Sequence, residues 1–89
     1  MKKIKARIIN RLGLHARAAT QFVNCASAYA SEIWITLGER RVNGKSIMGV
    51  LTLAATTGTE LVIEAEGEDE DLALEAIDQM IRNRFGEEE

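Results

Sequence analysis

In Gly13-Leu14-His15-Ala16-Arg17-Ala18-Ala19, a pattern typical of a strand gives way to one typical of a helix. Before it, apolar residues alternate with charged ones from Lys3 to Ile9, which predicts a half-buried strand. After it, five apolar residues follow the spacing of one buried helix face: Ala19, Phe22, Val23, Ala26 and Ala30. We therefore predict a helix from about Ala16 to about Ala28 or Tyr29, with His15, the single histidine of the chain, at its start.

The middle of the chain predicts a hairpin and a short helix. Glu32 to Leu37 alternates again, and Gly38-Glu39 is a two-residue loop of the Gly-first type that suits a tight hairpin. The returning strand is expected at Arg40 to Asn43. Ser46 then follows as the N-cap of a short helix from Ile47 to about Leu53.

The last third of the chain predicts a strand and a longer helix. The strand is expected at Glu60 to Glu66, and the acidic run Glu68-Asp69-Glu70-Asp71 complements the dipole at the start of the helix. We expect the helix to end near Phe85-Gly86 and Glu87 to Glu89 to be a frayed tail. Its buried face is expected to contain Leu72, Ala73, Ala76, Ile77, Met80 and Ile81.

Together these elements have the order β-α-β-β-α-β-α, which predicts a two-layer α+β fold with three helices over one face of a four-stranded sheet. At 89 residues the chain has room for one small domain, residues 1–89. The pattern alone does not separate this arrangement from a ferredoxin-like fold with an extra helix.

Composition and charge restrict the class of protein. No apolar run approaches the ~20 residues of a membrane-spanning helix. A single cysteine, Cys25, excludes an internal disulfide and favours a reducing compartment. We therefore predict a cytoplasmic protein without membrane insertion, and we expect a monomer.

The net charge of −3 is unevenly distributed along the chain. Residues 1–45 contain nine Lys or Arg and two Asp or Glu, whereas residues 46–89 contain two and twelve. The acidic total argues against nucleic-acid binding, and the basic half, which contains His15, favours an acidic protein partner.

His15 is the main candidate for chemistry. A helix N-terminus presents unpaired N–H groups and the positive end of the dipole, so it favours an anion beside the ring. The guanidinium of Arg17 suits phosphoryl oxygens, and a neutral imidazole is nucleophilic near physiological pH. A lone histidine is more often structural, but this setting favours a phosphoryl group carried on a ring nitrogen. No neighbouring residues suggest a metal site or an independent hydrolase, and we expect no cofactor.

Two segments give the chain a family resemblance: Gly13-Leu14-His15-Ala16-Arg17 and Asn43-Gly44-Lys45-Ser46-Ile47-Met48-Gly49. They resemble the signatures of the HPr family, the histidine phosphocarriers of the phosphoenolpyruvate-dependent sugar phosphotransferase system. The resemblance covers nearly the whole chain and implies an open-faced β-sandwich with an antiparallel sheet of strand order 1-4-2-3. Ala18 departs from the family, which usually has proline there, and this change is expected to loosen the first helical turn slightly.

The resemblance also implies a function. His15 would accept a phosphoryl group from phospho-enzyme I, originating in phosphoenolpyruvate, and donate it to enzyme II A components for sugar uptake. Arg17 would neutralise the moving group, so the protein would be a carrier and not an independent enzyme. Ser46 would be phosphorylated by HPr kinase/phosphorylase, although an N-cap role alone is the simpler interpretation.

The same resemblance places a docking surface for these partners beside His15. The residues expected in this surface are Thr20, Ile47, Met48 and Leu51. Two alternatives stay open: a paralogous carrier of the nitrogen-related phosphotransferase branch, and an interaction module in which His15 has no chemical role.

Overall fold

A computed structural model describes residues 1–88 of the chain. The element order is β1 (Lys2–Arg7), α1 (Ala16–Ser27), β2 (Glu32–Leu37), β3 (Arg40–Asn43), α2 (Ile47–Thr52), β4 (Glu60–Glu66) and α3 (Glu70–Arg82), followed by a 3₁₀ turn (Arg84–Gly86). Within the described residues, no helix is both long and apolar enough to cross a membrane.

The four strands form one antiparallel sheet in the order β1-β4-β2-β3, as predicted. Ile63 of β4 pairs with Ile4 of β1 on one side and with Ile35 of β2 on the other. Alternation places these three side chains on the same face of the sheet. The helices contribute Phe22, Val50, Ile77 and other apolar side chains to the same core, so the sheet has one covered face.

The predicted ends of β1 and α1 differ from those in the structure. β1 ends at Arg7, because the N–H of Ile8 donates to Thr59 O at 2.9 Å and its carbonyl accepts from Gly58 N at 2.7 Å. α1 ends at Ser27, so the prediction that Ala30 belongs to its buried face is wrong.

The buried face of α3 was also predicted incorrectly in part. Leu72 is 62% exposed, whereas Leu74, which the prediction omitted, is 5% exposed. The helix packs on the sheet through Ala73, Leu74, Ile77 and Ile81. Successive side chains of a helix point in directions about 100° apart. With the buried face of α3 centred on these four residues, the Leu72 side chain points to solvent.

The chain beyond α3 does not fray where the sequence predicts it. Phe85 is 1% exposed and fixes the 3₁₀ turn to the core. Arg84, Phe85 and Gly86 have φ values of 56°, 54° and 79°, so the backbone reverses direction in the left-handed region. Glu87 is thereby ordered and hydrogen-bonded, Glu88 is exposed, and Glu89 lies outside the described residues.

Candidate functional site

His15 is the N-cap residue of α1, with extended backbone angles of φ −78° and ψ −179°. Its carbonyl accepts the first helical hydrogen bond from Ala19 N at 2.8 Å. The side chain is 29% exposed, so solvent and other molecules can reach the ring. The predicted position of His15 at the start of the helix is therefore confirmed.

The loop before His15 is held close to the segment that follows α2. Gly13 has φ +68°, and a Cβ there would lie 2.4 Å from Ala55 O, so this position requires glycine. The N–H of Leu14 donates to the same Ala55 oxygen at 2.8 Å, and the Leu14 side chain is buried. These contacts fix the direction in which the chain enters α1.

The C-terminal tail reaches the His15 ring. Nε2 of His15 and Oε2 of Glu87 are 2.5 Å apart, and Oε1 of Glu87 accepts a hydrogen bond from Asn10 Nδ2 at 3.0 Å. The hydrogen bonds from Asn10 and from His15, together with the charge of Arg17, hold the pKa of the Glu87 carboxyl below its usual value. Glu87 is therefore a carboxylate at neutral pH.

Asn10 is the buried support of this contact. Its side chain is fully buried, and Nδ2 also donates to Gly13 O at 2.9 Å. Its backbone carbonyl accepts from the Thr57 hydroxyl. Oδ1 has no hydrogen-bond partner among residues 1–88. Sequence reasoning missed both Asn10 and Glu87; the available signal was the large apolar Phe85 two residues before Glu87, which is unusual in a frayed end.

Arg17 and His15 line the same shallow depression, together with Leu12 from the preceding loop and Glu87 from the tail. The Arg17 side chain is exposed in the first turn of α1, where a guanidinium can bind an incoming anion. Leu12 is 59% exposed and adds an apolar wall that the sequence interpretation did not include.

The second predicted site lies at the start of α2, which packs beside α1. The Ser46 Oγ accepts a hydrogen bond from Gly49 N at 3.1 Å, which confirms its N-cap role. Ile47 and Met48 are 41% and 71% exposed, whereas Leu51 is half-buried against the core. Thr20 is exposed on α1, and its hydroxyl donates to Ala16 O at 2.8 Å.

Other reactive groups are sparse among residues 1–88. No group of three or more His, Cys, Asp or Glu side chains there is placed to hold a metal ion. Cys25 is half-buried, and burial raises the pKa of its thiol, which disfavours the reactive thiolate.

Comparison with known proteins shows the family of this chain and agrees with its fold. Residues 2–83 match the family model described as PTS HPr component phosphorylation site. Phosphocarrier protein HPr of Neisseria meningitidis serogroup A is 49% identical over 89 residues, covering 100% of both chains. The chain therefore belongs to the HPr family, the phosphocarriers of the phosphotransferase system.

The fold of this chain is also similar to those of solved HPr structures. The crystal structure of HPr-C-His from Thermoanaerobacter tengcongensis has a TM-score of 0.96 and 43% identity, covering 100% of both chains. An HPr dimer from the same organism has a TM-score of 0.79 and 42% identity, covering 98% of this chain and 100% of that one. Since a relative has been solved as a dimer, the monomeric state of this chain stays a prediction.

Proposed function

We propose that His15 accepts a phosphoryl group from phospho-enzyme I, originating in phosphoenolpyruvate, and donates it to enzyme II A components during sugar uptake. The observation that carries this proposal is the ring itself, which is 29% exposed at the N-cap of α1 in a chain of the HPr family. A phosphoryl group on such a ring would meet the positive end of the helix dipole.

The ring geometry favours Nδ1 as the reacting nitrogen. Among residues 1–88, the hydrogen bond to the ring is made at Nε2, by Glu87. A nitrogen already held in a hydrogen bond is a poorer nucleophile than one with a free lone pair. The phosphoryl group is therefore expected on Nδ1.

Arg17 would neutralise the moving group. Arg17 is in the first turn of α1 and lines the same depression as His15, and its guanidinium carries a permanent positive charge. Transfer through a metaphosphate-like transition state depends mainly on positioning and on stabilising the charge of the equatorial oxygens. The chain would supply the carrier atom and the Arg17 cation, and enzyme I or the enzyme II A component would supply the rest of each catalytic site.

Docking of both partners would use the exposed apolar residues at the start of α2. Ile47 and Met48 of α2 are exposed and do not belong to the core. Leu51, on the same helix, is half-buried against the core, and Thr20 is exposed on α1, which packs beside α2. A flexible methionine on such a surface can adapt to several partners. These four residues are proposed as the partner-binding surface.

Ser46 would act as a regulatory site for HPr kinase/phosphorylase in addition to its N-cap role. A phosphate at a helix N-terminus is compatible with the fold, because the dipole and free N–H groups favour negative charge. It would add about two negative charges next to Ile47 and Met48, and this would weaken docking of an acidic partner.

The deciding experiment is phosphorylation by enzyme I with labelled phosphoenolpyruvate. We expect an acid-labile phosphate on the wild-type protein and none on His15→Ala. Assaying the first enzymes of the sugar and the nitrogen-related branches side by side tells which branch the carrier serves. No label from either enzyme, or label that survives His15→Ala, would contradict the proposal. A cytoplasmic location and a single domain over residues 1–89 stay predictions.

A further inference from the structure

We propose that Glu87 is a positioning residue for the carrier reaction: with Asn10, it holds His15 in the tautomer that has its proton on Nε2 and its lone pair on Nδ1. This inference rests on the proposed function of His15. It gives the C-terminal tail a role in the chemistry, in place of the frayed end that the sequence suggested.

The directions of the hydrogen bonds around Glu87 follow from Asn10. Asn10 Nδ2 contacts two carbonyl-type oxygens, Gly13 O at 2.9 Å and Glu87 Oε1 at 3.0 Å. Exchanging the amide oxygen and nitrogen would place an acceptor against two acceptors, so Asn10 must donate to Glu87. One carboxylate oxygen is thus committed to Asn10, and the other is directed to the ring.

The protonation state of Glu87 then determines the tautomer of the ring. The hydrogen bond from Asn10 is the main cause that holds the pKa of Glu87 below its usual value, so the group is ionised and can only accept. Because Oε2 lies 2.5 Å from Nε2, the ring must carry its proton on that nitrogen. A neutral imidazole with a proton on Nε2 has its free lone pair on Nδ1.

The segment from Arg84 to Gly86 holds Glu87 in contact with His15. Phe85 is buried in the core, and Arg84 and Phe85 both occupy the left-handed region, which costs energy for residues that are not glycine. Such strain persists only where the surrounding structure enforces it, and it is commonest near functional sites. Here the reversal of the backbone brings Glu87 into contact with the His15 ring, 72 positions earlier in the chain.

In the transfer step, the Nδ1 lone pair forms a bond to phosphorus while the bond between phosphorus and the donor atom of enzyme I breaks. The electron pair of the broken bond stays with enzyme I. The ring keeps its Nε2 proton and becomes positively charged, and the carboxylate of Glu87 stabilises that charge, as the aspartate does in a Ser-His-Asp triad. Donation to enzyme II A reverses these changes, so His15 neither gains nor loses a proton in the cycle.

Glu87→Gln is the most informative substitution, because it should reverse the tautomer. Asn10 still has to donate, so the single oxygen of the new amide faces Asn10 and its NH₂ group faces Nε2. The ring would then accept at Nε2 and carry its proton on Nδ1, which blocks the nucleophile. Glu88→Gln is the matched control, since it removes the same charge from the same depression, and the contact to Nε2 is made by Glu87 and not by Glu88.

The tautomer is measured by ¹⁵N NMR of the His15 ring, and the reaction by kcat and KM of phosphorylation by enzyme I. We expect the Nε2–H tautomer in the wild type and in Glu88→Gln, and the Nδ1–H tautomer in Glu87→Gln. The kcat of Glu87→Gln should fall about tenfold at nearly constant KM. This decrease is smaller than the one expected in a buried catalytic triad, because the His15 side chain is 29% exposed to solvent.

An unchanged tautomer in Glu87→Gln, with or without a change in kcat, would overturn the inference, as would faster phosphorylation. If Glu87→Gln does not fold, Glu87→Ala replaces it, and a wild-type kcat in that variant would also overturn the inference. Failure of the wild type to accept phosphate from enzyme I would instead contradict the proposed function, and the NMR result would stand by itself.

Discussion

The carboxylate of Asp69 binds Ser31 at two points. Oδ1 of Asp69 accepts from Ser31 N at 2.9 Å and from Ser31 Oγ at 2.5 Å, while Oδ2 accepts from Ala30 N at 2.8 Å. Asp69 immediately precedes α3, and residues 30–31 lead from α1 into β2. Asp69 therefore joins two distant segments, and its side chain makes no capping hydrogen bond to α3.

This contact makes stability depend on acidic pH. The hydrogen bonds from Ser31 and Ala30 hold the pKa of Asp69 below its usual value of 3.8. A group whose pKa is lowered in the folded state stabilises the protein above its unfolded pKa, and this contribution is lost as pH falls through the lowered folded value. The free energy of unfolding, measured by urea denaturation, should therefore decrease below about pH 4.

Asp69→Asn should lower Tm at neutral pH and flatten this pH dependence. Asp71→Asn is its control, because Asp71 makes an ion pair with Lys2 whose side chains are 70% and 58% exposed, and such pairs add little stability. Equal effects of the two substitutions on Tm would contradict the role given to the Asp69–Ser31 contact.

Arg17→Ala should slow phosphorylation of His15 without unfolding the domain. Loss of a charge-assisted hydrogen bond to the moving phosphoryl group is expected to lower the rate roughly 10- to 100-fold. Arg17 is exposed, so Tm should change little. The rate of transfer from phospho-enzyme I is the measurement, and a wild-type rate would remove Arg17 from the mechanism.

Two substitutions at Ser46 separate its capping role from a charge effect. Ser46→Ala removes the acceptor for Gly49 N and should cost about 1 kcal/mol of stability, seen as a lower Tm. Ser46→Asp retains an acceptor at the N-cap, so Tm should stay near that of the wild type. Its added charge should raise the KM of enzyme I for the carrier about fivefold. An unchanged KM would refute a regulatory effect of charge at this position.

Met48→Ala tests the proposed docking surface. Because Met48 is 71% exposed, its truncation should change stability by less than about 0.5 kcal/mol. If enzyme I packs on this side chain, KM should rise about fivefold or more, as for an interface residue worth 1 kcal/mol. Leu72→Ala is the control, since Leu72 is similarly exposed on α3. Equal KM values for the two variants would exclude Met48 from the interface.

Ala54→Gly should stabilise the protein. Ala54 follows the C-cap of α2 and has φ 50°, a left-handed conformation that glycine adopts without the penalty of a Cβ. The expected gain is about 1 kcal/mol, measured as an increase in Tm. Ala28→Gly at the end of α1, where φ is −72°, should instead destabilise. A loss of stability in both variants would show that Ala54 is not strained.

The order of elements could be predicted because it depends on local patterns. Alternation in the strands and the helical spacing after His15 are properties of short segments, and the resemblance to the HPr family supplied the strand order that these patterns left open. Ser46 at the N-cap of α2 and the two-residue loop Gly38-Glu39 also follow from local preferences. These features were confirmed.

The features that the prediction missed depend on which distant segments meet. Whether Leu72 or Leu74 is buried depends on how α3 is rotated on the sheet, and a shift of one or two positions reverses the answer. Asn10 is polar and follows a strand, so by itself it predicts an exposed turn, yet the segment around Thr57 covers it.

The sequence alone determined where His15 stands in its helix, because an N-cap position is set by the residues immediately around it. The tertiary structure alone decided which side chain meets the ring. The burial of Phe85 and the left-handed turn after α3 bring the end of the chain back to the start of α1. The Glu87 carboxylate therefore contacts Nε2 of His15, 72 positions earlier in the sequence. Contacts between residues so far apart in the chain are stabilised by the packing of the whole core, so a short segment of sequence does not show which side chains meet.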